Sequence, residues 1–281
     1  MLKYISRSLR HLLQNPALFV RKLLCKLRLR LVRVPDGIVQ ADVRGYRIDV
    51  VPSRNDWWKS IYLGCCDVEV TNALERYLRP GGVFADVGAG VGYFSAIASD
   101  IVGPGGRVYS FDPSPNSIRA ITRMLESRPG TNIVFNGFAL GESEGEERYG
   151  VQKEERHSVI SMVSGVLEHV DEEIRVRTRR LDAYLAEMRV EDVSLIKIDV
   201  EGYEYPVLKG LSGFFEKTAC RPPIICEILL PVYRKGAVSL NELAGYMASH
   251  GYAARDIWNP KDKVCLQKLE QNADVIFLAE R

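Results

Sequence analysis

The chain has 281 residues, 46% hydrophobic and 26% charged, the composition of an ordinary folded protein with room for one large α/β domain or two small ones. Its net charge is +2, but residues 1–34 hold nine Lys or Arg and no Asp or Glu, so the rest of the chain is acidic. An acidic body argues against a nucleic-acid-binding core. Six cysteines without a C-x-x-C pair argue against a zinc site and fit a reducing, cytoplasmic compartment.

Residues 1–34 alternate basic and apolar side chains with helical spacing, interrupted at Asn15-Pro16. No uncharged run approaches the ~20 residues of a membrane span, and Arg7 and Arg10 break what would be the apolar core of a signal peptide. Two interpretations stay open. This segment is either an amphipathic helix on an anionic membrane surface, which would place the protein at the inner face of the membrane, or a helix or arm that belongs to the domain.

Residues 37–51 alternate around Arg44-Gly45, which predicts a β-hairpin. The pair Trp57-Trp58 either lines a substrate entrance or has the commoner role of filling a core. A helix is predicted over 67–79. We therefore divide the chain into a basic segment (1–34), a hairpin and cover region (35–64) and a main α/β domain (65–281).

A glycine loop follows the first predicted strand of that domain. The strand covers 83–87, the loop is Gly88-x-Gly90-x-Gly92, and a helical pattern follows over 92–101. Strand, glycine turn and helix are the opening of a nucleotide-type βαβ unit, in which glycine permits a sharp turn and close approach of a ligand. A tight turn without a ligand is the alternative. The next strand, 107–111, ends at Asp112, about 20 residues past the glycines, where such units bind a ribose diol.

The spacing of this loop bears on the choice of cofactor. It is not the G-x-G-x-x-G that seats a pyrophosphate on a helix N-terminus. Asp86, two residues before the first glycine, would repel a pyrophosphate but could hold the ammonium of an amino-acid moiety, directly or through water. Together these features favour S-adenosylmethionine over NAD, and Asp86-Val87-Gly88-Ala89-Gly90 resembles the first motif of class I methyltransferases.

The rest of the chain alternates strand and helix signals around one polar insert. The insert, residues 150–173, includes His157 and is typical of an active-site lid. The predicted elements are helices over 115–126, 181–185, 203–211 and 239–250 and strands over 133–135, 174–178, 193–198, 224–228, 252–256 and 274–279.

The most specific string is Ile196-Lys-Ile-Asp-Val-Glu-Gly-Tyr-Glu204. With Asp86–Gly92 and Phe111-Asp112-Pro113, it resembles the FkbM family of S-adenosylmethionine-dependent methyltransferases over roughly residues 65–280. The resemblance implies a Rossmann-like class I methyltransferase fold: a seven-stranded, mostly parallel sheet flanked by helices, with its last strand antiparallel. It also implies O-methylation, mostly of sugars and secondary metabolites. Asp112 departs from the family, in which glutamate is common at this position.

Ligands of open α/β sheets bind beyond the carboxyl ends of the strands, which predicts where the cofactor lies. The glycines are assigned to its methionine region, Asp112 to its ribose and the backbone of Ala139 to its adenine. The full predicted cofactor set is Asp86, Gly88, Ala89, Gly90, Gly92, Tyr93, Asp112, Ala139 and Asp199.

Asp199 and Glu201 are predicted beside the transferred methyl, where one of them accepts the proton of a substrate hydroxyl, a contribution of ~10²–10⁴-fold. Their structural alternatives are capping of the next helix or pairing with Lys197. His157 is a second candidate base, or a surface residue. Asp199, Glu201 and Glu227 together could hold Mg²⁺, but no ligand spacing requires it and no metal is predicted.

The sequence thus predicts a cytoplasmic O-methyltransferase that moves a methyl group from S-adenosylmethionine to a hydroxyl by in-line displacement, on a glycan sugar or a secondary metabolite. The basic N-terminus motivates the glycan, because lipid-linked sugars are built at membranes. The alternatives are an NAD-dependent oxidoreductase and a non-catalytic partner protein with the same fold.

Overall fold

The N-terminal part of the molecule is helical and contains one hairpin. The computed structural model describes residues 11–153, 158–161, 170–217, 221–235 and 238–280. The first elements are α1 (Pro16–Leu31), β1 (Val39–Val43), β2 (Tyr46–Val50), α2 (Asp56–Tyr62) and α3 (Val68–Tyr77). Arg44 and Gly45 join β1 to β2 with positive φ angles of 55° and 82°, the two-residue connection that matches the twist of a hairpin. The predicted hairpin is therefore confirmed.

Alternating strands and helices follow. They are β3 (Val83–Val87), α4 (Tyr93–Val102), β4 (Arg107–Phe111), α5 (Pro115–Glu126), β5 (Ile133–Asn136), β6 (Ala139–Leu140), β7 (Gly145–Lys153), β8 (Ser158–Ser161) and β9 (Glu172–Arg179). The C-terminal elements are α6 (Leu181–Glu187), β10 (Leu195–Ile198), α7 (Glu204–Lys209), α8 (Ser212–Lys217), β11 (Ile224–Ile228), α9 (Leu230–Lys235), α10 (Leu240–Ser249), β12 (Tyr252–Asp256), a 3₁₀ turn (Leu266–Lys268) and β13 (Ala273–Ala279).

Seven of these strands form the central sheet, in the order β12-β13-β11-β10-β3-β4-β5. β13 is antiparallel to β11 and β12, and the other neighbouring strands are parallel. This is the predicted class I methyltransferase arrangement. β10 and β3 lie side by side at its centre, with Ile198 opposite Val87, so the two predicted motifs meet at one edge of the sheet.

Each face of the sheet is covered by its own apolar core. One core joins side chains of α1, the hairpin and α2–α5 to the sheet, and the other is built with α6–α10. The segments 1–34 and 35–64, which the sequence analysis separates from the main domain, thus contribute to the same core as the sheet. The division into three parts stays a prediction.

A second sheet follows β5, with the order β6-β9-β7-β8. It includes the predicted strand over 174–178 as part of β9. β7 and β8 were not predicted, because their polar side chains give no clear alternation. The candidate base His157 lies outside the described residues.

Helix α1 packs on the body of the protein. The Asn15 side chain accepts a hydrogen bond from the backbone N–H of Leu18 at 3.1 Å, which caps the helix at the predicted interruption. Leu18 and Cys25 are buried, so the interpretation as a helix of the domain is confirmed for these residues. Among the helices of the described part of the chain, none is both long and apolar enough to cross a bilayer.

Candidate active site

A cavity of about 900 Å³ opens at the carboxyl ends of β3, β4 and β10. Its floor is the glycine loop and the turn after β10. The hairpin, α2, α5 and β7 contribute to its walls. Both members of the tryptophan pair line it. Trp58 is buried in the core, so the core-filling interpretation holds for this residue, whereas Trp57 is 44% exposed and its role at a substrate entrance stays a prediction.

The three glycines of the loop differ in what a side chain would meet at each position and in whether they line the cavity. A Cβ on Gly88, whose φ is +78°, would lie 1.7 Å from the carbonyl oxygen of Asp199, and a Cβ on Gly92 would lie 2.7 Å from Sδ of Met124. Close packing therefore requires glycine at position 88, where the neighbour is backbone. At Gly92 the neighbour is the flexible end of a side chain, and the positive φ of +84° is what favours glycine. Gly90 also has a positive φ, +57°, but a Cβ there would meet nothing within 4 Å. Gly88 and Gly90 line the cavity, together with Ala89 and Tyr93; Gly92 does not.

Asp112 ties the loop to the second strand. Its carboxylate accepts hydrogen bonds from the backbone N–H groups of Gly90, at 2.8 Å, and Ser114, at 2.9 Å. Burial raises its pKa to about 6, although these hydrogen bonds oppose the shift. Asp112 lines the cavity beside Phe111 and Pro113, so it is available to a ribose. Contact between Asp112 and the ribose stays a prediction. Ala139 also lines the cavity, and contact between its backbone and the adenine likewise stays a prediction.

Asp86 lies beneath the cavity rather than on its wall. Its side chain is fully buried, accepts a 2.5 Å hydrogen bond from the Ser95 hydroxyl and has Oδ1 3.8 Å from Nζ of Lys197. The predicted contact between Asp86 and the cofactor ammonium stays untested. In the structure its cationic neighbour is the side chain of Lys197.

Lys197 joins the two motifs. Its ammonium lies 3.0 Å from Oδ2 of Asp199 and over the ring of Phe94, 5.2 Å from the ring centre. Burial lowers its pKa, but the charges of Asp199 and Asp86 outweigh burial and raise it overall. Lys197 is therefore a buried ammonium between two carboxylates, Asp86 on β3 and Asp199 directly after β10.

Asp199 lines the cavity and is held ionised. Burial raises its pKa, but the Lys197 ammonium and a hydrogen bond from Glu227 outweigh burial and lower it. Glu227 carries the proton of that bond, because burial and the charge of Asp199 raise its pKa to about 10. The structural alternative for Asp199, pairing with Lys197, is observed. It coexists with a position on the cavity wall.

Glu201 lies on the same turn and also lines the cavity. Its φ is +53°, a left-handed conformation that non-glycine residues rarely adopt. The residue as a whole is exposed, but partial desolvation of its carboxyl group at the cavity wall, and then the charge of Asp199, raise its pKa. Its carboxyl group is thus closer to a neutral-pH base than that of Asp199.

Glu204, to which the sequence analysis assigned no role, holds this turn. Its Oε1 accepts hydrogen bonds from the backbone N–H groups of Val200 and Gly202, at 3.3 and 2.8 Å, and its Oε2 accepts one from the Tyr233 hydroxyl at 3.1 Å. It is fully buried, and burial raises its pKa to about 7. The available signal was a carboxylate in the first turn of a helix, where orphan N–H groups attract acceptors.

Asp67 is a second residue that sequence reasoning missed. It lines the cavity, has a left-handed φ of 35° and accepts a hydrogen bond from the Cys66 thiol at 3.3 Å. Asp67 is exposed as a residue, but desolvation of its carboxyl group by the surrounding atoms raises its pKa, and it lies within electrostatic range of Asp199 and Lys197. Tyr203 also lines the cavity and donates a 3.0 Å hydrogen bond to Glu147 of β7.

In the part of the chain that the structure describes, no three His, Cys, Asp or Glu side chains are placed to hold a metal ion.

Residues 86–254, more than half of the chain, match the family model described as the Methyltransferase FkbM domain. The chain belongs to the FkbM methyltransferase family. This FkbM protein is an S-adenosylmethionine-dependent methyltransferase, so the oxidoreductase alternative is excluded. The cavity lining fits this cofactor: carboxylates face the cavity at Asp112 and Asp199, apolar side chains line it at Phe111 and Leu140, and the space at Gly90 is open.

Two curated relatives match over similar lengths. The chain is 26% identical over 200 residues to 31-O-demethyl-FK506 methyltransferase FkbM of Streptomyces tacrolimicus, covering 62% of this chain and 74% of that protein. It is 26% identical over 177 residues to hexuronic acid methyltransferase AglP of Haloferax volcanii, covering 62% and 68%. A crystal structure of methyltransferase FkbM from Methylobacillus flagellatus KT aligns with a TM-score of 0.43 and 15% identity, covering 81% of this chain and 56% of that one. The cytoplasmic location stays a prediction.

Proposed function

We propose that this FkbM protein is an O-methyltransferase that acts on a hydroxyl group of a sugar, within a glycan or free, or of a secondary metabolite. The observation that carries the proposal is the pair of carboxylates, Asp199 and Glu201, on the cavity wall next to the glycine loop. A hydroxyl loses its proton when it is methylated, so an acceptor site needs a group that orients and takes that proton. The names of the two relatives, one acting on a hexuronic acid and one on 31-O-demethyl-FK506, agree with a hydroxyl-bearing acceptor.

The two carboxylates differ in chemistry, which suggests a division of roles. Asp199 is held ionised by Lys197, so it is a steady hydrogen-bond acceptor and a weak base. Glu201 has a raised pKa, which brings it nearer to the operating pH that an efficient general base requires. We assign orientation of the hydroxyl to Asp199 and removal of its proton to Glu201. His157 stays a further candidate.

The cofactor supplies an electrophilic methyl group on its sulfonium. We assign Gly88, Ala89 and Gly90 to the methionine region of the cofactor and Asp112 to its ribose. The site then presents the acceptor oxygen in line with the bond between the methyl group and the sulfur. Correct alignment of two reactants contributes ~7–11 kcal/mol in favourable cases. The reaction therefore depends more on placement than on the strength of the base.

The first experiment is calorimetric titration of the purified protein with S-adenosylhomocysteine, compared with Gly90→Arg and Asp112→Ala. Low-micromolar binding that both variants lose would support the assigned cofactor site. Unchanged binding in both folded variants would refute it.

The second experiment measures methyl transfer to a panel of hydroxylated acceptors, hexuronic acids among them. Glu201→Gln should lower kcat about 10²-fold or more while leaving the affinity for S-adenosylhomocysteine unchanged, because only proton removal is lost. Glu191→Gln, which removes an exposed carboxylate elsewhere, is the matched control and should behave as wild type. Binding of S-adenosylhomocysteine without turnover on any hydroxyl would contradict the proposal and favour the non-catalytic alternative.

A further inference from the structure

Helix α1 has two apolar stripes on opposite sides. Successive residues of an α-helix are rotated by about 100°, which places Leu18, Cys25 and Leu29 on one side, where Leu18 and Cys25 are buried and Leu29 packs partly buried against the core. A second stripe, the leucine stripe, points the other way and is 43–76% exposed. Its members, at intervals of three and four residues, are Val20, Leu23, Leu24, Leu27 and Leu31.

Basic side chains flank the leucine stripe. The same rotation puts Lys26 and Arg30 along one border and Arg28 along the other, and all three are exposed. On the side toward the body, Arg21 forms an ion pair with Glu75 of α3, at 2.9 Å, and Lys22 forms one with Glu69. These pairs and the buried stripe hold the helix on the domain, so the leucine stripe faces outward.

The exposed apolar surface extends to the cavity. Ile38 and Trp57, 71% and 44% exposed, both line the cavity, and α1 packs against α2, which carries Trp57. Of the exposed large hydrophobic side chains in the described residues, all but Val170 and Met188 lie between residues 12 and 57. Large apolar patches with a basic border, on a surface that also holds the entrance of a site, mark a docking surface.

We propose that α1 lies in the plane of an anionic bilayer surface and places the cavity entrance against it. The leucine stripe enters the boundary between headgroups and acyl chains, and Lys26, Arg28 and Arg30 extend to the lipid phosphates on either side. The absence of Asp and Glu from residues 1–34 selects an anionic surface over a neutral one. This inference concerns where the enzyme binds and does not depend on the identity of its acceptor.

The test is co-sedimentation of the full chain with vesicles of phosphatidylcholine alone and of phosphatidylcholine with about 30 mol% phosphatidylglycerol, because surface charge sets the attraction of basic residues. Binding to the anionic vesicles is expected to exceed binding to neutral ones at least tenfold. Leu24→Gln/Leu27→Gln/Leu31→Gln should lose that binding at least tenfold. Lys26→Gln/Arg30→Gln should lose about fivefold per charge.

The matched control is Val170→Gln/Met188→Gln, which removes the same kind of exposed apolar side chain away from α1 and should bind as wild type. Thermal melts and S-adenosylhomocysteine binding of each variant establish that it is folded, and they need no acceptor. Equal binding to both vesicle types, or anionic binding that survives the leucine substitutions, would overturn the proposal. A wild-type dimer that the leucine substitutions dissociate would also overturn it, because a second copy would then cover the stripe. So would a loss of stability caused by the leucine substitutions alone, because another part of this chain would then cover it.

Discussion

The close approach of the two motifs makes Gly88→Ala the most direct test of the site geometry. An alanine Cβ at this position would lie 1.7 Å from the carbonyl oxygen of Asp199 and 2.8 Å from its carbon, so backbone rather than a flexible side chain must move. The left-handed φ of +78° adds ~1–2 kcal/mol for a residue with a Cβ. Forcing the contact apart adds ~1–3 kcal/mol, as in overpacked cores.

The expected cost is therefore about 2–5 kcal/mol, which at 2–4 °C per kcal/mol corresponds to a fall in Tm of roughly 10 °C. Gly90→Ala is the matched control. It shares the left-handed φ but has open space where the Cβ would go, so its cost is only the ~1–2 kcal/mol of conformation. Because Gly90 lines the cavity, its variant should lose affinity for S-adenosylhomocysteine while keeping most of its stability.

Differential scanning fluorimetry and calorimetric titration of both variants separate the two effects. If Gly88→Ala melts within about 2 °C of Gly90→Ala, a difference of less than about 1 kcal/mol, the loop does not meet the end of β10 as closely as the structure shows. The contribution of Gly88 to the site would then be to the cavity surface alone.

Three further variants test other parts of the site. Glu204→Gln should relieve a cost at high pH. The pKa of Glu204 in the folded state is about 7, above the ordinary 4.5 of a glutamate, so the stability that this carboxyl contributes is fully present below its unfolded pKa and is lost as pH rises to about 7. The variant should gain on wild type by up to about 3 kcal/mol between these values in urea titrations, and a constant difference across pH would contradict the assignment. Lys197→Met leaves Asp86 and Asp199 without their counter-ion, so the free energy of unfolding should fall by about 3–5 kcal/mol at pH 8 and by less near pH 5, where the carboxylates gain protons. An equal fall at both pH values would show that charge is not the cause. Trp57→Ala should raise KM for the acceptor about tenfold, equivalent to about 1.4 kcal/mol, and leave the affinity for S-adenosylhomocysteine unchanged. If only the affinity for S-adenosylhomocysteine changed, Trp57 would lie at the cofactor end of the cavity and not at the acceptor end.

Local chemistry was enough to predict the framework of this protein. A buried strand ending in glycines at alternate positions, an acid at the end of the next strand and the Asp-Val-Glu-Gly string after another strand are each short-range signals, because parallel strands read as apolar runs and the turns after them demand particular residues. The strand at 83–87, the strand at 107–111 and the helix predicted from Ser239 all agree with the structure, in which Ser239 caps that helix. The order of the strands came from the family resemblance, because periodicity carries no information on which strands pair.

Only the tertiary structure decided what each polar group of the site does. Whether a carboxylate is a cap, an ion-pair partner or a base depends on burial and on groups far away in the chain, and these appear only when the strands are assembled. Asp86 and Asp199 share Lys197 because β3 and β10 are neighbours. Glu204, and not Glu201, holds the turn because Tyr233 and two backbone N–H groups converge on it. The sequence predicted helical, amphipathic spacing over residues 1–34 with an interruption at Asn15-Pro16. Only the structure shows which of the two apolar stripes of α1 the protein buries: Leu18 and Cys25 pack on the core, and Arg21 and Lys22 pair with α3 beside them. No local pattern of the helix contains these contacts.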